Sequence, residues 1–323
     1  MLCIRLFLCA LCLFWAKNAF AQSNTSFEQF KTMMGQRGSG AWDTVSSKEI
    51  WKIRSVQEQA QKPFEHYTRN IRHLENKAIH TVPKRIHFIW IGPKPFPRHS
   101  ISNLISWKQH HPSWEIFFWT DRNEREPPIS GLQKRLISDL DLGPFQTPFI
   151  ESNNWSEKSD LLRFMIMYQE GGIYTDHDVV CKRALDPLSS HYDFVAGYEP
   201  LQLYEYSLHS SFVPNTGLII SRPHHPIMEK VIKRLSDRWE MFGKQFPGND
   251  RESVEKRVMS RTFDPFAYCV SHFIDRDKYR NILLPTSYFH SSGHFEKETL
   301  KKLSENGHVY AIHLFNTVWL PLQ

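Results

Sequence analysis

A chain of 323 residues with 41% hydrophobic and 14% aromatic side chains is long enough to bury one large core, alone or with a helical appendage. No low-complexity tract or internal repeat interrupts it, which argues against a repeat architecture. The net charge of +6 is a mild excess without a basic cluster interleaved with aromatics, so no nucleic-acid partner is expected.

Met1 to Ala16 holds one charge, Arg5, and its apolar run from Leu6 to Ala16 is shorter than the ~20 residues a membrane span requires. Ala19-Phe20-Ala21 follows in the small-x-small pattern of a signal-peptidase site, so residues 1–21 read as a cleaved signal peptide. The alternative is an uncleaved type II anchor in the Golgi. Cys3, Cys9 and Cys12 would leave with the signal; Cys181 and Cys269 remain and have the option of pairing in an oxidising compartment. Asn24-Thr25-Ser26 and Asn154-Trp155-Ser156 are glycosylation sequons.

Residues 22–80 are polar and helix-prone, with Ile50, Ile53, Ile71 and Leu74 among few apolar anchors, and are expected to form a helical N-terminal extension. From residue 81 to 323, strands and helices alternate. The pattern predicts a strand over 85–91, a helix over 100–110, a strand over 114–120, helices over 130–140 and 156–170, and a strand over 173–176. That order implies an α/β fold with a mainly parallel central sheet flanked by helices. Pro93, Pro95 and Pro97 mark the loop after the first strand, His224-His225 reads as an exposed turn before a helix near Pro226, and Arg251–Arg261 reads as a solvated charged helix.

The chemistry is concentrated in residues 159–178. Leu161, Leu162, Met165, Ile166 and Tyr168 give the predicted helix an apolar face, Ser156 or Ser159 is its expected N-cap, and Gly171-Gly172 supplies the stop. Asp160 and Arg163, three apart, share one side of this helix and suit sugar hydroxyls or a phosphate. Ile173-Tyr174-Thr175 then form a strand, and Asp176 and Asp178 follow at its carboxyl end, where ligands bind in α/β sheets. Hard divalent cations take one or two carboxylates plus substrate phosphates, so this pair suits Mg²⁺ or Mn²⁺ against a diphosphate. An EF-hand is a poor alternative, because the later glycine and terminal glutamate of that loop are missing.

Ser159-Asp160-x-x-Arg163, then Gly171-Gly172-x-Tyr174 and Asp176-x-Asp178, resembles the DXD-motif sugar transferases, a set comprising mannosyltransferases, α-1,4-glycosyltransferases and the clostridial glucosylating toxins. Val82-Pro83-Lys84-Arg85-Ile86-His87 through Trp90-Ile91-Gly92 resembles their first strand. Trp107, His111-Pro112-Ser113-Trp114-Glu115 and Trp119-Thr120-Asp121 resemble the next helix and strand. His313 and Trp319 repeat a His…Trp spacing near the C-terminus of this group. The likeness spans roughly residues 82 to 320.

The resemblance implies a GT-A-like nucleotide-sugar-binding fold and a retaining transferase moving a hexose from a nucleotide-sugar, UDP-linked in preference, to an acceptor hydroxyl on glycan or protein. It implies that Trp90 stacks on the base, as an aromatic plane can without reading its edges. Asp178 would bind the metal, Asp176 metal or ribose, and Asp160, Arg163 and Tyr174 the donor. Asn215, in Val213–Ile220, is a candidate sugar or acceptor contact. Trp319 closes over the diphosphate or packs the tail. His313, on an expected strand 309–313, is either a structural residue or the third metal ligand, and an imidazole there favours Mn²⁺ over Mg²⁺. Two departures stand out: Val318 replaces the group's serine before Trp319, and Phe263-Asp264-Pro265-Phe266 replaces a Gly-Pro motif.

Localisation is expected to be export through the secretory pathway, with no stable membrane span after cleavage. Nucleotide-sugars are scarce outside cells, so a lumenal enzyme or an effector delivered into another cell fits better than an extracellular transferase. A secreted carbohydrate-binding protein on an inactive scaffold is the alternative, against which the intact Asp176/Asp178 pair argues. A metal-dependent hydrolase would need a general base aimed at water.

Overall fold

The computed structural model describes residues 25–35, 50–201, 209–276, 278–290 and 295–316. The expected signal peptide, Asn24 of the first sequon, and Trp319 with Thr317 and Val318 lie outside the described residues. The strands are β1 (Arg85–Ile89), β2 (Glu115–Thr120), β3 (Gln133–Leu136), β4 (Gly172–Thr175), β5 (Val179–Cys181), β6 (Phe194–Tyr198), β7 (Pro214–Ser221), β8 (Asn281–Leu284) and β9 (Ala311–His313). Among the helices are α1 (Phe27–Met33), α2 (Arg54–Asn70), α3 (Ile101–His110), α4 (Gln146–Glu151), α5 (Trp155–Gln169), α6 (Asp186–His191), α7 (Pro226–Gln245), α8 (Arg251–Val258), α9 (Asp264–Phe273) and α10 (Lys297–Glu305).

Seven strands form one sheet in the order β3-β2-β1-β4-β7-β6-β8, and β5 and β9 form a two-stranded ribbon. β1 pairs in parallel with β2 and β4, β2 with β3, and β6 with β8; only β7 runs against its neighbours β4 and β6. Two reversals restore direction, so β1, β4, β6 and β8 all end at the same edge. The mainly parallel α/β architecture expected from the sequence is what the chain adopts. Ile86–Ile89, Ile116–Trp119 and Phe194–Tyr198 are buried throughout. These are the continuous apolar runs of strands covered on both faces, here by helices such as α5 against β1, β4 and β7, and α9 against β7.

Several local expectations change. Residues 130–140 are not a helix: Gln133–Leu136 pair in parallel with Phe117–Thr120 as the edge strand, and only Ile137–Asp139 turn as a short 3₁₀ segment. Leu132, Leu136, Ile137 and Leu140 have helical spacing, but the unpaired edge of β2 and Arg135 lying over the Phe117 ring at 4.8 Å outweigh it. The N-cap of α5 is Asn154, whose side chain accepts from the Ser156 and Glu157 amides, not Ser156 or Ser159. His225 is fully buried and caps α7 while its Nε2 meets Asn281 Oδ1 at 3.0 Å; only His224 is exposed. The charged stretch 251–261 is only partly solvated, because Arg261 turns inward. Cys181 and Cys269 are buried and unpaired.

Gly171 and Gly172 do more than stop α5. Both have positive φ, +64° and +95°, and a Cβ on Gly172 would stand 2.5 Å from the Arg85 carbonyl oxygen. The chain must therefore turn left-handed while passing directly beside β1. Gly172→Ala is expected to destabilise the protein by more than the roughly 1–3 kcal/mol of a strained backbone alone, read as a lowered midpoint in urea denaturation.

The N-terminal helices share the same buried core: Phe30, Met33, Val56 and Tyr67 pack with the sheet residues. α2 is fastened polarly as well. His66 Nε2 accepts from the Leu283 amide at 2.9 Å, and its Nδ1 meets Asp275 Oδ1 at 2.7 Å, where Arg69 also donates at 2.7 Å. Burial alone would raise the Asp275 carboxyl, but the hydrogen bonds and charges of His66 and Arg69 overcome it and hold it at about 2. A depressed carboxylate stabilises the fold above its unfolded value and loses that contribution as pH falls through its folded value. Asp275→Asn should accordingly cost roughly 1–3 kcal/mol at pH 7. Melting curves should show that difference from wild type shrinking as pH falls from about 4 towards 2.

Candidate active site

β4 ends at Thr175, and Asp176-His177-Asp178 turn over its carboxyl end into β5. This turn is tied down from both sides. Asn103 Nδ2 on α3 donates to the His177 carbonyl at 2.9 Å, and Ser100 Oγ meets His177 Nδ1 at 2.9 Å. Trp107 Nε1 reaches the Val179 carbonyl at 2.9 Å, and Ser106 Oγ accepts from the Cys181 amide at 2.9 Å. On the other side the Asp176 amide donates to the Gly217 carbonyl at 2.9 Å. α3 thus works as a rigid bracket for the two carboxylates.

β9 completes the arrangement. Val179 on β5 pairs with His313, bringing the imidazole to the carboxylates. His313 Nε2 lies 3.2 Å from Asp178 Oδ1 and 3.9 Å from Asp176 Oδ2. Asp178 Oδ2 accepts from the Asn316 amide at 2.7 Å. Burial would lower the imidazole, yet Asp178 and Asp176 outweigh it and raise its pKa. Burial would raise Asp178, yet His313 pulls it well below the usual carboxylate range.

Arg163 stands behind this group. Its Nη2 bridges Asp160 Oδ1 at 2.9 Å and Asp176 Oδ1 at 3.0 Å, while its Nη1 donates to the Thr216 carbonyl at 2.9 Å. The guanidinium lies over the Tyr174 ring at 4.4 Å, and the Tyr174 hydroxyl donates to the same Asp176 Oδ1 at 2.5 Å. Asp176 Oδ1 is consequently committed to the protein, and Oδ2 is the oxygen facing His313. Tyr174 is buried with its hydroxyl committed too. Arg163 Nε has no partner among the described residues. Asp160 Oδ2 accepts from Thr262 Oγ1 at 2.6 Å; burial raises this carboxyl against the opposing pull of Arg163 and Thr262.

The other expected positions fall at the same edge. Trp90 follows β1, half-buried, edge-on to His177 with centroids 5.1 Å apart and donating its Nε1 to the Lys94 carbonyl. Asn215 opens β7, buried, its Oδ1 accepting from the Gly217 amide and its Nδ2 donating to Glu199. The sequence reading missed Glu199. It follows β6, the strand parallel to β4, so the strand-end rule that marked Asp176 would have marked it too. Burial pushes its carboxyl up to about 7. It missed Thr262, Ser100 and Asn103 as well, and these carry no local sequence signal.

The donor set fits a divalent cation. Asp176, Asp178 and His313 each offer an atom within 4.8 Å of the others. The space is kept open by Gly217, where a Cβ would stand 3.0 Å from Asp176 Oδ2, 3.2 Å from His313 Cε1 and 2.9 Å from Asn215 Oδ1. Two hard carboxylates with one imidazole suit Mg²⁺ or Mn²⁺ in a site completed by substrate oxygens.

Residues 97–195 match the family described as the glycosyltransferase sugar-binding region containing the DXD motif. Inositol phosphoceramide mannosyltransferase 3 of Schizosaccharomyces pombe is 34% identical over 154 residues, 48% of this chain and 37% of that protein. The subversion of eukaryotic traffic protein A of Legionella pneumophila is 31% identical over 113 residues, 31% of this chain and 17% of that protein. The chain therefore spans well under half the length of either relative. The solved PaToxG glycosyltransferase is 18% identical, covering 60% of this chain and 72% of its own, with a TM-score of 0.43, too loose a likeness to bear on the reaction. The matched segment contains Asp160, Arg163, Asp176 and Asp178 in the geometry described above, and over this segment the chain is similar to the DXD-motif glycosyltransferases.

Proposed function

We propose that the protein is a metal-dependent, retaining hexosyltransferase of GT-A type that uses a nucleotide-sugar, UDP-linked in preference, and delivers the sugar to an acceptor hydroxyl. The observation that carries this reading is the Asp176–Asp178–His313 cluster with Arg163 and Asp160 directly behind it. Residues 81–323 would be the catalytic domain, 22–80 its helical extension and 1–21 a secretory signal. No helix among the described residues is long and apolar enough to cross a membrane.

Asp178, Asp176 Oδ2 and His313 would hold the cation, Mn²⁺ in preference because of the imidazole. Bound there, it would neutralise charge on the departing diphosphate. The remaining work falls to the protein. Arg163, fixed by three acceptors, presents a preorganised positive charge behind the carboxylates. Asp160 accepts from sugar hydroxyls. Trp90, held by Phe96 and His177, offers a plane for the base. Asn215 is oriented by Glu199 towards sugar or acceptor. The relatives' names extend the acceptor classes to test beyond glycans and proteins to inositol phosphoceramide.

Isothermal titration of the protein with UDP and with GDP, each with and without Mn²⁺, tests this. Nucleotide binding should require Mn²⁺, and Asp178→Asn should weaken it by more than about tenfold, the least expected when a metal's support is removed. Undiminished Mn²⁺-dependent binding by Asp178→Asn would overturn the metal assignment. No binding of either nucleotide by folded wild type would overturn the donor assignment.

A further inference from the structure

Between α8 and α9 the helix widens into one π-helical turn, Met259–Phe263. Such turns carry i→i+5 bonds, are rare, and recur at functional sites. Here the turn has an identifiable effect. Arg261 Nη1 meets Glu157 Oε1 at 3.2 Å, with its Nε donating to the Trp239 carbonyl at 3.0 Å. The very next residue, Thr262, meets Asp160 Oδ2 at 2.6 Å. Glu157 and Asp160 lie three apart on one face of α5. Through these two contacts the turn docks on α5 at neighbouring positions, one at Glu157 and one at Asp160.

The two contacts are not equivalent. Arg261 and Glu157 are both buried and dock the turn on α5 without touching the site. Thr262 is 1% exposed, but its partner's side chain, Asp160, keeps 14% of its surface open beside Arg163. A carboxylate has about four acceptor positions. Arg163 takes one on Oδ1 and Thr262 one on Oδ2, which fixes the plane of the group and leaves acceptor capacity on both oxygens. The Thr262 proton can also reach the Val258 carbonyl at 2.9 Å, but the contact to the carboxylate is shorter and charge-assisted.

We propose that Thr262 is a positioning residue for the donor: its hydroxyl locks Asp160 against Arg163 in the orientation that receives a hydroxyl of the transferred sugar. This rests on the nucleotide-sugar transferase reading. Thr262 touches no substrate; it acts through Asp160, so it should affect recognition of the sugar and not of the nucleotide.

The test is steady-state donor hydrolysis by the full chain with Mn²⁺, using UDP-glucose, UDP-galactose, UDP-N-acetylglucosamine and GDP-mannose, followed with whichever wild type turns over fastest. Thr262→Val, which keeps the shape and loses the hydroxyl, should raise the donor KM about tenfold, the scale of one charge-assisted hydrogen bond. Affinity for the bare nucleoside diphosphate should stay at the wild-type value. Thr262→Ser should rescue the KM. In an Asp160→Asn background, Thr262→Val should add nothing, because the group it positions is already altered. If Thr262→Val does not fold, Thr262→Cys, similar in size with a weak donor, takes its place. A wild-type KM in the hydroxyl-free variant, or a penalty that simply adds to that of Asp160→Asn, overturns the proposal while leaving the transferase reading intact. Absence of turnover by wild type with every donor overturns the reading and the proposal together.

Discussion

A single buried guanidinium organises this molecule's working edge. Arg163 is 6% exposed and lies between Asp160, on its own helix, and Asp176, at the end of the neighbouring strand. Two carboxylates facing each other away from bulk water would otherwise protonate or move apart, since desolvation penalises each charge and each raises the other. Breaking such a pair by removing one partner is strongly destabilising, because the charges left behind stay buried. The same arginine donates to the Thr216 carbonyl, so it joins α5, β4 and β7 through one planar group. Arginine serves here where lysine would not, because a rigid fork can serve three acceptors at once.

The sheet explains why everything else collects around that point. β1, β4 and β6 end at one edge, and antiparallel β7 begins there. Trp90, Asp176, Glu199 and Asn215 are therefore brought together by strand direction alone, although they span more than a hundred positions of sequence. What strand direction does not supply is precision, and that comes from helices. α3 brackets the Asp176–Asp178 turn through Ser100, Asn103, Ser106 and Trp107, and the π turn before α9 holds Glu157 and Asp160. Rigid neighbours of this kind keep charged groups in place without reorganisation when charge develops on a substrate.

Which of these features could be read from the sequence follows from how local their causes are. The run from Ser159 to Asp178 was legible because helix, glycine stop, strand and carboxylates are consecutive, and each obeys a short-range rule. The apolar strands were legible for the same reason. Residues 130–140 were misread because their leucine spacing is helical while the vacant edge of β2, which decides the matter, lies elsewhere in the chain. The N-cap of α5 was placed on Ser156 or Ser159, two or five positions late, because Asn154 accepts from the Ser156 and Glu157 amides in their stead. Thr262 and Ser100 were invisible, since a hydroxyl gains its importance only from the partner the fold brings to it. Glu199 sits between these cases: the strand-end rule covers it, but only once β6 is known to run parallel to β4.

The charges at the site show how the cluster balances in the absence of a cation. Asp160, Asp176, Asp178 and Glu199 face Arg163 and His313. Glu199, pushed up to about 7 by burial, relieves part of the imbalance by holding its proton near neutrality. His313 relieves another part, because Asp178 and Asp176 raise its affinity for a proton against the cost of burial. A proton on the imidazole and a divalent ion would each set positive charge between the two carboxylates. An imidazole can ligate only when neutral, so the cation and that proton compete for the same nitrogen.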